Sequence, residues 1–446
     1  SMKKYISLCV ILALSLSSYG QMKNYWQQHV DYTMDIDVEA EKYQFKGKQK
    51  LVYTNNSPDQ LQVVYYHLQF NAFQPGSDMD IRLQNIADPD SRMTVKDSLG
   101  TSSRIARLKD DEIGYQKIVS IKQNGNPVAF EILGTILKVS LNEPLDSGKK
   151  TTFNMEFEGQ VPVLIRRAGR NNKDGVALSM AQWYPKLAEY DVDGWQINQY
   201  IGREFHGVWG NFDVTIHIDK DYTIGGSGYL QNPQEIGHGY EDPNKKLKIP
   251  DGNKLSWHFV APNVHDFTWA ADPDYIHEKV MGENNVELHF FYKNDKPAVI
   301  ENSKKLPEKT QEILAYFNKH IGAYPYNQYS VIQGGDGGME YAMCTLIAGG
   351  ENLGSLIGTT AHEFAHSWFQ FLLATNEMRY SWMDEGFTSY ISSAAMNEVM
   401  DQKKELPNAR AYNGYFYLVK SGKEEPLTTF ADHFEINFAY SIASYS

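Results

Sequence analysis

The chain changes its hydrophobic period once, and the change divides it. From about Asn24 to Tyr275 apolar positions recur every second residue. Tyr32, Met34, Ile36 and Val38 share one parity, as do Phe45, Gly47, Gln49, Leu51 and Tyr53. Phe212, Val214, Ile216 and Ile218 interleave with Asp213, Thr215 and His217, and Leu255, Trp257 and Phe259 repeat the pattern. A period of two points one set of side chains to one face of a pleated strand. Turn clusters separate the runs, among them Asn55-Asn56-Ser57-Pro58 and Gly225-Gly226-Ser227-Gly228. The pattern predicts an N-terminal antiparallel all-β domain with one wet face per strand.

Val286, Leu288, Phe290 and Tyr292 form the last alternating run. Ile313, Leu314, Phe317 and Ile321 then recur at helical spacing, with Gly322 where a C-cap belongs. A second helix is expected from about Ser355 to Leu373. A third starts near Trp382, where Ser381 and Asp384 have the spacing of a capping box. The chain is therefore multidomain, a β-domain over 21–272 followed by a mixed α/β, mainly helical, domain over 273–446, with the boundary near Pro273. Its 446 residues suit two or three domains.

Composition sharpens this only in places. Aromatics make up 13% of the chain, with 29 tyrosines, which suits strands. The formal charge of -13, with no basic run beyond the first residues, excludes nucleic acid as a partner. Residues 1–20 stand apart. Lys3 and Lys4 precede the apolar stretch Tyr5 to Leu16, followed by Ser17, Ser18, Tyr19 and Gly20. That is the order of a cleaved secretory signal peptide. The alternative is an N-terminal anchor, for which about a dozen apolar residues are too few. The protein is thus expected to be exported, periplasmic or secreted, with no membrane span after signal cleavage. Cleavage leaves Cys344 as the only cysteine, so no intrachain disulfide forms.

The chemistry concentrates in His362-Glu363-Phe364-Ala365-His366. Histidines four apart share a helix face and can converge on one ion, with Glu363 beside them as general base. Zinc fits because it takes nitrogen and oxygen ligands tetrahedrally and leaves a position for water. Eighteen residues after His366 comes Glu385, in Trp382-Met383-Asp384-Glu385-Gly386-Phe387. Two antiparallel helices with a short link would bring it to the same ion as third ligand. Asp384 has two readings, a helix cap or a hydrogen-bond partner of a liganding histidine. His206, His217, His258, His265 and His289 lack spacing partners and read as packed or surface side chains. Cys344 reads as a small buried hydrophobe.

His-Glu-x-x-His, eighteen residues, then Glu resembles the gluzincin zinc metallopeptidases of the aminopeptidase N and leukotriene hydrolase family. Gly337-Gly338-Met339-Glu340-Tyr341 is similar to that family's Gly-x-Met-Glu-Asn exopeptidase motif, with Tyr341 in place of Asn. Gly202-Arg203-Glu204-Phe205 resembles an element of its N-terminal domain, and Tyr440 and Tyr445 have the spacing found around its catalytic tyrosine. The resemblance implies a thermolysin-like catalytic domain, one zinc ion on His362, His366 and Glu385, Glu363 as base and Tyr445 as oxyanion hydroxyl. Glu340, with Gly337, Gly338 and Met339, would bind the substrate's free amine, and Gln182 would help from the N-terminal domain. In relatives a helical C-terminal domain follows; it is absent from this sequence, so the catalytic domain is expected to be incomplete. The implied function is a zinc aminopeptidase acting on peptides with a free N-terminus. The alternatives are a thermolysin-like endopeptidase and a non-catalytic peptide-binding relative.

Overall fold

In the computed structural model, which describes residues 25–446, the alternating segments are strands with the expected parity. His29–Glu39 buries Val30, Tyr32, Met34, Ile36 and Val38 and turns the intervening residues outward. The proposed secretory segment lies outside the described residues.

One eight-stranded sheet organises the N-terminal half. Its long central strands, in spatial order, are Lys254–Val264, Gly210–Asp219, His29–Glu39, Gln44–Thr54, Lys150–Gln160 and Tyr115–Gln123. His29–Glu39 pairs antiparallel with Gln44–Thr54, from His29 opposite Thr54 to Glu39 opposite Gln44. On its other side it runs parallel to Gly210–Asp219, from Val30 opposite Gly210 to Asp37 opposite His217. The all-antiparallel expectation is corrected to a mixed sheet. A period of two fixes which face a side chain takes, whereas strand direction depends on the connection, and one reaching from Glu39 to Gly210 can return the chain either way. A helix, Asp78–Asn85, capped by the Ser77 hydroxyl, also interrupts this β-rich half.

Past Pro273 a five-stranded sheet follows, in the order Tyr275–Met281, Glu287–Lys293, Gln328–Gln333, Cys344–Ile347 and Met339–Tyr341. Its three middle strands are parallel, the first two joined through helix Pro297–His320 and the last two through the edge strand Met339–Tyr341. Helix Pro297–His320 ends near the expected stop, with the N–H of Ile321 donating to Phe317. Helix Leu353–Ala365 starts where the Asn352 side chain accepts from the Ser355 N–H at 2.8 Å. Its buried Leu356, Ile357, Thr360, Ala361 and Phe364 form one stripe. Phe364 stacks on Tyr329 of the sheet with centroids 4.0 Å apart. Each such fully buried side chain contributes about 2 kcal/mol, which pins the helix rotationally.

The apolar core does not stop at Pro273. Phe291, Ile332, Tyr341, Cys344 and Leu346 belong to the same buried cluster as Trp183 and Trp269, while Phe317, Ile357, Phe364 and Trp368 form a second. Among the described residues no helix is long and apolar enough to cross a membrane.

Candidate active site

Helix Leu353–Ala365 carries His362 and Glu363 on its last turn, and His366 follows at its C-terminal end. The single helix expected to continue to Leu373 instead gives way to a π-type segment, Ser367–Leu372, broken at Phe369 and Gln370. The break frees the Phe369 carbonyl, which lies 3.1 Å from His366 Nδ1. Glu385 sits on a second π-type turn, Trp382–Gly386, just before helix Phe387–Val399. Single π turns of this kind recur at functional sites because they re-aim side chains that a regular helix would point elsewhere.

Three donor atoms meet here. His362 Nε2 is 3.0 Å from Glu385 Oε2, His366 Nε2 is 3.3 Å from the same oxygen, and the two imidazole nitrogens are 3.2 Å apart. Tetrahedral zinc with bonds of about 2.0–2.1 Å requires ligand–ligand edges of about 3.3 Å. The triangle therefore fits the ion in both chemistry and size. Asp384 Oδ1 lies 2.8 Å from His366 Nδ1, and the Thr388 hydroxyl is 3.2 Å from it. A proton on Nδ1 donates to the Phe369 carbonyl and leaves the Nε2 lone pair facing the triangle, while Asp384 stays a charge neighbour whose two oxygens make no hydrogen bond. Of the two readings of Asp384, the cap is not made, and the carboxylate lies against His366 as a charge neighbour rather than as a hydrogen-bond partner. Ser381 makes no cap hydrogen bond; its hydroxyl contacts that of Ser444 at 3.2 Å. The capping box is corrected, because Ser381 already has helical dihedrals and cannot take a cap conformation.

Glu340 lies on the edge strand Met339–Tyr341, buried, with Oε2 3.7 Å from His366 Nε2 and Oε1 without a partner. Glu363 is also buried, with Oε2 unpartnered. Burial raises both carboxyls above their usual range. Burial also pushes Asp384 up to about 7, against the pull of His366. At Glu385 burial acts in the same direction, but the two imidazoles, His366 foremost, outweigh it and hold the carboxyl below the usual range.

Gly338, Met339, Glu340, Glu363, Glu385 and Tyr445 line one cleft of about 390 Å³. Gly337 lies beside them, its carbonyl accepting from the Ala348 N–H at 2.9 Å. The Tyr445 ring stacks on His362 at 5.7 Å and 18°, and the residue is 41% exposed. Gln182 is not among the lining residues. It is buried with φ +51, and its amide donates to the Tyr341 hydroxyl at 3.1 Å. Tyr341 thus occupies the glutamine expected to meet substrate.

Glu204 stands in the cleft instead, buried, its Oε1 accepting from Arg167 at 2.9 Å and from the Tyr440 hydroxyl at 3.1 Å. One oxygen each of Glu204, Glu340, Glu377 and Asp384 lies within 4.8 Å of the others. Sequence spacing gives no sign of this cluster, since its members come from four separate segments. A larger cleft, about 690 Å³, opens elsewhere beside Tyr229, Lys279 and His289, but none of the metal-capable groups among the described residues lies there. Chemistry, not size, selects the smaller one. Of the other histidines, His217 pairs with Asp35, His258 with Asp213 and His289 with Glu287, whereas His265 is buried with both ring nitrogens unpartnered; Cys344 is fully buried, its thiol pushed up to about 12 by that burial.

No family model matches the sequence. The fold is that of M1 zinc metallopeptidases. The M1 zinc metallopeptidase from Deinococcus radiodurans superposes with a TM-score of 0.59 at 14% identity, covering 95% of this chain and 80% of that one. Its E323A mutant gives 0.60 over 95% and 81%, and the same mutant bound to Tyr-Ser-Ala gives 0.58.

Proposed function

We propose that this chain is a zinc-dependent aminopeptidase of the M1 type, removing N-terminal residues from peptides after export from the cell. One observation carries the reading. Beside the His362, His366 and Glu385 triangle, Glu340 keeps one buried carboxylate oxygen unpartnered, with Glu204 close by. An unpaired buried acid is costly, and a substrate ammonium is the cation that would satisfy it. The fold neighbours support this, since one was solved with Tyr-Ser-Ala and others with L-tryptophan and L-arginine.

Zinc held by the triangle, one ion per chain, would acidify a water and polarise the scissile carbonyl. Glu363 takes the proton of the attacking water and delivers it to the departing amine. Asp384 and the Phe369 carbonyl keep the His366 ring oriented. Tyr445, at the cleft wall, donates its hydroxyl to the carbonyl oxygen as charge develops there, a role worth about 3 kcal/mol. Glu340 and Glu204 hold the free amine and so set cleavage one residue from the end.

The test is a panel of aminoacyl fluorogenic amides against amino-blocked peptides. Glu340→Ala should lose about 100-fold or more on free-amine substrates while retaining its zinc. Glu385→Ala should lose the zinc itself, read by metal analysis. Equal cleavage of free and blocked peptides by the wild type would make the protein an endopeptidase.

A further inference from the structure

The cleft wall that carries Glu204 is rich in arginine. Arg92, Arg166, Arg167 and Arg203 all line it. Two are already engaged by carboxylates: Arg166 Nη1 donates to both oxygens of Asp336 at 2.9 Å, and Arg92 donates to Asp90 at 2.6 Å. The other two are not fully engaged. Arg167 is 4% exposed and gives one nitrogen to Glu204, but its Nε and Nη1 are buried without partners. Arg203 donates through Nε to the Ala431 carbonyl and lies 4.0 Å over the Tyr440 ring, leaving Nη2 buried and unpartnered. Arg167 also has φ +60, a backbone conformation that a non-glycine residue adopts at a cost and that clusters at ligand sites.

A guanidinium cannot shed its proton to escape such a position, so the unmet donors call for an acceptor. The acceptor that matches a planar fork in charge and shape is a carboxylate. A doubly charged phosphate is disfavoured here, because Glu204, Glu340, Glu363 and Glu385 line the same cleft.

We propose that Arg167, with Arg203 on the same wall, forms a carboxylate subsite. It selects peptides that present a carboxylate within a residue or two of the anchored amine. That carboxylate is either an acidic first side chain or the C-terminus of a di- or tripeptide. The inference rests on the aminopeptidase reading above.

The zinc-loaded full chain is assayed on two matched pairs. Glutamyl against glutaminyl fluorogenic amide isolates the side-chain source, and Ala-Ala against Ala-Ala-amide isolates the C-terminal source. In one pair kcat/KM should favour the carboxylate by about tenfold or more, and Arg167→Met should bring that ratio to within about threefold of unity. A merely structural role, acting through Glu204, would slow both members of a pair and leave the ratio standing. Should Arg167→Met fail to fold, the wild-type ratios and Arg203→Met decide. Absence of preference in both pairs, or ratios unmoved by the variants, overturns the subsite while leaving the aminopeptidase reading intact. If no free-amine substrate is cleaved, that reading fails, and calorimetric binding of glutamate against glutamine decides the subsite. Equal affinities would overturn it.

Discussion

Of the two glycines before Met339, Gly338 is the one the packing constrains. A Cβ there would run into Glu363 Oε1 and come within 2.8 Å of Thr359 Cγ2. The backbone of the strand carrying Glu340 therefore reaches the proposed base only because position 338 has no side chain. Gly338→Ala is expected to displace Glu363 and lower kcat/KM about 100-fold, with zinc content unchanged, since a shift of about 1 Å is enough for such a loss. Kinetics paired with metal analysis checks this. Loss of zinc in parallel with activity would mean that the helix, and not the glutamate alone, had moved. Gly337 carries no comparable constraint, because the nearest atom to a Cβ there is Arg92 Nη1 at 3.4 Å, the end of a flexible side chain. Sequence treats the two glycines alike; the packing separates them.

At the scale of elements, the position of Tyr445 depends on a short terminal helix, Asn437–Tyr445, whose N-cap residue is Ile436. Isoleucine has no group to accept the free N–H groups of the first turn. Asp88 takes them instead, accepting from Asn437 N and Phe438 N at 2.8 Å each, across 349 and 350 positions of sequence. Further along, Tyr440 meets Glu204 and Ser444 meets Ser381, so the helix bridges the cleft wall and the turn that carries Glu385. Removing the cap should cost about 1 kcal/mol and loosen the helix. Asp88→Ala is expected to reduce turnover about tenfold through Tyr445 while leaving zinc bound. Amide exchange over residues 438–445 should quicken in step; unchanged exchange with lowered turnover would place Asp88 elsewhere in the mechanism.

Over the whole molecule, the β-rich half and the catalytic half meet through charge as well as apolar contact. Arg166 and Asp336 are 170 positions apart in sequence and bury side chains that are 11% and 10% exposed. Burial would raise the Asp336 carboxyl, but Arg166, Arg92 and Arg167 outweigh it and hold it below the usual range. A depressed carboxyl pKa stabilises the fold above its unfolded value of about 3.9, and that contribution is lost as pH falls through the folded value. Asp336→Asn should therefore cost about 3 kcal/mol at neutral pH, with the gap to wild type closing below about pH 4. Urea midpoints measured from about pH 7 to about pH 3 test the sign. A gap that widens on acidification would contradict it.

What the sequence determined by itself was local. Period two settled which face of His29–Glu39 is buried, because alternation is a property of the strand. Spacing four joined His362 to His366 because both lie within about one helical turn. Residues far apart were legible only where they form a recognisable motif, as with Glu385 and Glu340. Tertiary structure decided the rest. It set the parallel pairing of His29–Glu39 with Gly210–Asp219, and it turned Asp384 toward His366 rather than into a cap. It also set Gln182 against Tyr341, and it gathered Glu204, Glu377 and Arg167 around the cleft. The physical reason is common to all of these. Strand direction, the second partner of a buried acid and the target of a buried amide are fixed by which distant surfaces pack together, and no period or spacing within one segment records that.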